Sequence, residues 1–278
     1  MKTVAFITTL CMAMFLIAGQ AFGADAASSE PAAANATELA KKAQNPVADM
    51  ISLPFQFNSY LETGPKGGTQ STLVIQPVIP FNLNKEWNLI ARPIIPLIEM
   101  PPLTDIQNRN DGLGNIQLQT FLSPKNTVGG WIVGFGPSFE FPTNSGPDNR
   151  FGSDNWSAGP AFVALRMQGP WVYGALVSHL WSYSGSDPEV NLTTIQPILN
   201  YNMKGGWYLS ASPIITANWS ADDSDQRWTI PVGGGIGRVF RVGKQPMNAT
   251  LKVYHNIESP TTGSDTQIQF QLQFLFPK

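Results

Sequence analysis

The 278-residue chain holds one cysteine and two histidines. A disulfide framework is excluded, and so is a cysteine-rich or multi-histidine metal centre. Charge is scarce as well. Asp, Glu, Lys and Arg make up 13 % of the residues, about half of the roughly 25 % found in an ordinary soluble domain. The 17 basic and 19 acidic residues leave a net charge of −2. With no basic excess to neutralise phosphates, nucleic acid is not an expected partner. No long apolar run follows residue 24, which excludes further membrane helices. The shortage of charge is not made up by greasiness, because hydrophobic residues reach only 42 % and mean hydropathy is −0.07. If such a chain enters a membrane it must do so as a closed β-barrel, the one strand architecture that satisfies every backbone polar group in lipid.

What is present begins with an export signal. Lys2 precedes an apolar run from Val4 to Ala18, and Ala21, Gly23 and Ala24 form a small-x-small site. These are the parts of a secretory signal peptide, and the run is shorter than the about 20 residues of a membrane span. Residues 1–23 are therefore read as a signal peptide cleaved near Gly23–Ala24. Cys11 lies inside it, which leaves an exported, cysteine-free mature chain. Residues 24–50 form an alanine-rich leader. Asn35 and Glu38 have the spacing of a capping box, which predicts a short helix that ends by Asn45-Pro46. Plug, periplasmic tether and poorly ordered leader are its three readings, the last being the plainest.

From Ile51 to the end, residues 51–278, the texture is alternation with punctuation. Gln267, Gln269, Gln271 and Gln273 alternate with Ile268, Phe270, Leu272 and Phe274. One amide face and one apolar face at a period of two describe a strand between unlike media. Trp131, Val133, Phe135, Phe139 and Phe141 alternate in the same way with Gly134, Gly136, Ser138 and Glu140. The breaks delimit strands at 51–61, 70–80, 87–98, 114–122, 131–141, 156–166, 171–182, 191–201, 207–218, 228–239, 247–257 and 266–276. Each is near the 9–11 residues that a tilted strand needs to cross a bilayer. Short turns alternate with generally longer, polar loops, the asymmetry of bacterial outer-membrane barrels. The expected fold is thus all-β: a closed antiparallel transmembrane barrel of about twelve strands behind a short helical leader.

The tryptophans mark where the strands end. Trp87, Trp131, Trp171 and Trp207 follow short turns, whereas Trp156, Trp181, Trp219 and Trp228 border long loops. Two girdles at the lipid–water boundaries are predicted, one of them facing the periplasm. An echo runs through the chain. Gln76-Pro77, Trp87, Leu89 and Pro93-Ile94-Ile95 recur 120 residues later as Gln196-Pro197, Trp207, Leu209 and Pro213-Ile214-Ile215, which points to hairpin duplication. One feature resists the pattern. Pro54, Pro77, Pro93, Pro137, Pro160, Pro197, Pro213 and Pro231 fall inside expected strands, although proline cannot donate to a β-ladder.

Several stretches resemble a known family. They are Gln44-Asn45-Pro46-Val47 with Ile51-Ser52-Leu53-Pro54-Phe55, Gln76-Pro77 with Pro80-Phe81-Asn82, and Gly169-Pro170-Trp171-Val172-Tyr173-Gly174-Ala175. Gly206-Trp207-Tyr208-Leu209 with Pro213-Ile214-Ile215-Thr216-Ala217-Asn218-Trp219 belongs with them, as do Pro231-Val232-Gly233-Gly234-Gly235 and the ending Phe274-Leu275-Phe276-Pro277-Lys278. Over residues 44 to 278 the chain resembles the bacterial outer-membrane transporters related to the meta-pathway phenol-degradation protein, some of which carry a neuromedin U label. The resemblance implies an outer-membrane barrel for uptake of small, often aromatic or apolar, compounds, and it brings no catalytic motif.

If the apolar faces meet lipid, the opposite faces line a lumen. Candidate pore-lining residues are Asn88, Arg92, Gln117, Gln119, Glu140, Gln196, Asn200, Asn218, Lys252, Gln267, Gln269, Gln271 and Gln273. Arg92, Glu140 and Lys252 carry the lumen charge, either free or paired with one another. A wall of amides and hydroxyls suits water and neutral or weakly polar solutes. Glycines 134, 136, 233, 235 and 237 either leave room inside or, more simply, permit curvature. Ser178-His179 and His255-Asn256 are the only groups resembling a nucleophile and base, and alternation puts Ser178 and His179 on opposite faces. The chain therefore reads as a non-enzyme without cofactor or metal, and Asp222-Asp223 with Asp225 reads as a solvated turn. Its expected partners are outer-membrane lipid and a small solute. The remaining alternatives are a structural or loop-displaying barrel without transport, and a soluble fold with the apolar faces turned inward.

Overall fold

A sheet with one apolar and one polar face, and no helix to cover either, leaves no exposed edge only by closing on itself. The computed structural model, which describes residues 30–147, 150–185 and 189–277, shows that closure. The expected signal peptide and its cleavage bond lie outside the described residues. The strands are β1 (Ile51–Thr63), β2 (Gly68–Ile75), β3 (Ile79–Asn82), β4 (Trp87–Met100), β5 (Asn110–Leu113), β6 (Ile116–Pro124), β7 (Trp131–Phe141) and β8 (Trp156–Gln168). They continue with β9 (Trp171–Ser184), β10 (Asn191–Asn202), β11 (Trp207–Ala211), β12 (Ile215–Asn218), β13 (Trp228–Val242), β14 (Gln245–Glu258) and β15 (Thr266–Phe276). Every pairing is antiparallel, and β15 returns to β1 with Ile51 opposite Phe276 and Leu61 opposite Thr266.

β2 and β3 share one edge of β4, β5 and β6 share its other edge, and β11 and β12 lie along a single edge of β10. Three strands are thus interrupted, and the ring counts twelve, as the alternation predicts. Both ends of the ring, Ile51 and Phe276, lie on the side of the short turns. The β1–β2 connection, Gly64 to Gly67, is an exception among the loops opposite. It is tight, and Gly64 and Gly67 take φ of +67° and +61°, values that cost glycine little.

The two faces decide the medium. Phe135, Phe162, Val177, Leu199, Leu209, Val232, Leu251 and Val253 are exposed, while Ser52, Asn58, Thr72, Ser138, Ser210, Asn248 and Thr250 are buried. Large apolar side chains out and polar ones in is the reverse of a soluble domain, and it rules out the soluble alternative. Along one wall the interior is apolar instead. Ile90, Phe121, Ala161, Val163 and Leu176 pack there with Val78.

The leader supplies the partner for that wall. Helix α1 spans Glu30–Ala43 and stops before Asn45-Pro46, as predicted. Asn35 lies within α1 rather than at its start, because the run Ala32–Ala34 favours helix and carries α1 further back. Ala40, Ala48 and Met50 are buried against Tyr208, Val239 and Leu275 at the short-turn end. Thr37 donates to the Met203 carbonyl at 3.1 Å, and the amides of Gln44 and Asn202 exchange hydrogen bonds of 2.9 and 3.2 Å. Val47 reaches the apolar wall itself. The described part of the leader is therefore packed inside one mouth of the ring, while residues 24–29 lie outside the described residues.

The in-strand prolines also find an account. The register Ile75–Ile95 and Ile79–Ala91 puts Pro77 opposite Pro93, across the gap between β2 and β3. Leu199–Ala211 and Ile195–Ile215 likewise put Pro197 opposite Pro213, across the gap between β11 and β12. Pro54 borders the first gap, and Pro231 lies at a register shift beside the second. Pro137 pairs with Pro160, and the ladders on their far sides lapse at that level, where the Thr120 hydroxyl bonds the Pro137 carbonyl at 3.0 Å. Prolines are gathered so that missing donors coincide, which confines the loss to a few rungs.

Candidate functional site

Within the ring, above the leader, lies a cavity of about 130 Å3. Gln44, Asn45 and Pro46 form part of its lining, which places the leader at its floor. The side chain of Asn45 holds this turn by accepting from the Val47 amide at 3.0 Å. The walls carry Gln56 and Gln76, then Arg92, Gln196 and Asn200, and further round Ser210, Thr250 and Lys252.

Two tyrosines cross the lumen face of β13, where Gly233, Gly235 and Gly237 stand at alternate positions. Tyr208 passes over Gly237 and donates to Asn248 Oδ1 at 2.7 Å, while Thr250 Oγ1 lies 2.9 Å from the same hydroxyl. Asn248 in turn donates to Gln273 at 3.1 Å. A Cβ on Gly237 would collide with the tyrosine ring. Tyr254 reaches back from β14, and its oxygen accepts from the Ser212 amide at 3.2 Å. The glycine at 237 therefore makes room inside rather than merely permitting curvature. Tyr208, Tyr254 and Gln56 were absent from the sequence-based lining. The signal for Tyr208 was its parity with Ser210 and Ser212.

Most candidate lining residues turn inward, in two groups. Arg92, Gln196, Asn200, Lys252, Gln269, Gln271 and Gln273 line the cavity. Asn88 and Gln119 are buried, and Gln119 accepts from Arg92 at 3.1 Å. Gln267 and Gln269 both donate to Asn58 Oδ1, at 2.9 and 3.2 Å. Gln117 and Asn115 donate to Glu140 at 2.7 and 3.3 Å, and neither Gln117 nor Glu140 lines the cavity. Asn218 is exposed at the end of β12, where its side chain accepts from the Ser220 amide, and it does not reach the cavity. Arg92, Glu140 and Lys252 form no ion pair with one another. The ion pairs among the described residues are Lys41–Glu38, Lys66–Asp105 and Arg109–Glu99.

All eight tryptophans stand at or near strand ends. Near the short turns, Trp87 meets Phe135, Trp131 meets Tyr173 and Trp171 meets Tyr201, with ring centroids 6.5, 5.8 and 4.8 Å apart, while Arg238 lies 4.8 Å over Trp207. At the other rim Trp156 meets Phe141, Trp181 meets His179, and Trp219 meets Trp228. His179 bonds Thr193 at 2.8 Å, and Ser178 is buried. His255 lies 3.4 Å from Thr266, and Asn256 donates to the Ser264 carbonyl at 2.6 Å.

This geometry recurs in solved structures. An outer membrane channel from Pseudomonas putida F1 matches with a TM-score of 0.60 over 82 % of this chain and 94 % of that one, at 14 % identity. The chain has the fold of an outer-membrane channel. The NanC porin matches with a TM-score of 0.50 over 82 % of this chain and 100 % of its own, at 9 % identity. No family model and no curated protein matches the chain, so the likeness is one of fold. Outer membrane phospholipase A from Escherichia coli also matches, with a TM-score of 0.46, 14 % identity, and coverage of 84 % of this chain and 98 % of that one. The expectation that the chain is a non-enzyme is corrected to this extent: a barrel fold by itself neither shows nor excludes catalysis.

Proposed function

We propose that the protein is an outer-membrane channel for passive uptake of small solutes, with the leader as a plug at its periplasmic mouth. The observation that carries this reading is the amide- and hydroxyl-lined cavity inside an apolar-coated ring, floored by Gln44, Asn45 and Pro46. A closed barrel needs no such cavity to be stable, whereas a passage needs a wet wall. The tryptophan girdles act as interface anchors, and the short-turn side faces the periplasm. The sequence resemblance to transporters related to the phenol-degradation protein makes small aromatic compounds the first solutes to try. The test is flux in liposomes and conductance in planar bilayers, for the mature chain and for a chain lacking residues 30–50. The mature chain should pass small solutes slowly and the shortened chain several-fold faster. If neither passes anything, the barrel is structural and the proposal falls.

A further inference from the structure

Charge inside the ring does not cancel at the cavity. Arg92 and Lys252 line it, and no Asp or Glu does so among the described residues. Glu140, the third inward charge, sits apart on β7, held by Gln117 and Asn115. β2, β1 and β15 separate β4 from β14 round the ring, and Gln76 just past the end of β2, Gln56 of β1, and Gln269 and Gln271 of β15 line the cavity between the two cations. Arg92 is 9 % exposed; it donates to Gln119, but its Nε is buried with no partner. Enclosed charges of like sign, with a donor unused and only amides between them, need an anion to complete them. Charge-assisted hydrogen bonds to guanidinium and ammonium groups would supply it.

Building on the channel reading, we propose that the cavity selects small oxyanions, carboxylates first, recognised by Arg92 and Lys252 while the amides meet the rest of the solute. Benzoate and benzamide have nearly the same shape and differ in charge, so they separate this recognition from simple fit. The experiment is equilibrium dialysis of the folded, full-length protein in detergent, with heat-modifiable gel mobility confirming the fold of each variant. Benzoate should bind at least about tenfold tighter than benzamide. The ratio should fall towards one in R92Q combined with K252Q and persist in R92K. Competition by inorganic phosphate would show a site for oxyanions in general; absence of competition would narrow it to carboxylates. Equal binding of the two probes, no binding of either, or a ratio that survives the double variant would overturn the assignment. Conductance of the same preparations separates the two ideas. Conductance without a binding ratio removes the anion site and keeps the channel, and a ratio without conductance does the reverse.

Discussion

Tyr208 shows what one side chain does for the lumen. Its ring fills the space that Gly237 leaves, and its hydroxyl joins Asn248 and Thr250, two strands away. Replacing Gly237 by Leu should displace the ring and cost about 1–3 kcal/mol, the usual penalty of overpacking. Tyr208→Phe leaves Asn248 and Thr250 without their partner and should cost about 1–3 kcal/mol. Because both changes act through one contact, their combination should cost clearly less than the sum. Denaturant unfolding of the four proteins checks this, and strict additivity would contradict the contact. Alternation puts Asn200, Lys252 and Gln269 on one face, and all three line the cavity, because parity survives along an unbroken ladder. It did not reveal that Gln117 and Glu140 satisfy each other away from the cavity, since depth along the barrel leaves no mark in a period of two.

Each strand carries a lipid-side stripe whose cost of substitution depends on depth. Leu251, at the middle of β14, should lose about 2–4 kcal/mol on change to Arg, whereas Ile257→Arg near the rim should lose about 0–1 kcal/mol. Folding titrations into lipid vesicles measure both, and equal losses would argue that the stripe does not face hydrocarbon. The leader makes a different claim. Val47→Asp puts a carboxylate against Phe121, Ile90 and Val163, a burial that an unpaired charge resists. The segment should loosen, and bilayer conductance should approach that of the chain without residues 30–50; conductance unchanged from wild type would mean that the leader is no plug. Strand limits were legible because tryptophan and turn residues mark them. The role of the leader was not, since alanine-rich helices look alike whether packed or free. The prolines were misleading one at a time, because each needs its opposite number across the ladder, and register is invisible before the strands are paired.

At the scale of the whole molecule, the apolar exterior should keep the protein in carbonate-washed membranes, and the unboiled barrel should run ahead of the boiled chain on a gel. Release by carbonate would count against the membrane reading. Twelve strands were countable from the breaks in the alternation, and an even number puts both ends of the ring on the short-turn side, where Ile51 lies opposite Phe276. The 120-residue echo also acquires a meaning in three dimensions. In a ring of twelve, a shift of six strands is half a circumference, so the pairs Pro77–Pro93 and Pro197–Pro213 stand on opposite sides, while the interrupted strands themselves, β2–β3 and β11–β12, are five strands apart one way and seven the other. A tube whose ladder lapses for a few rungs at such places bends there before it bends elsewhere. Its cross-section can turn oval under pressure from one side, and the arc from β4 to β9, which carries the further lapses beside Pro137 and Pro160, gives more readily than the other.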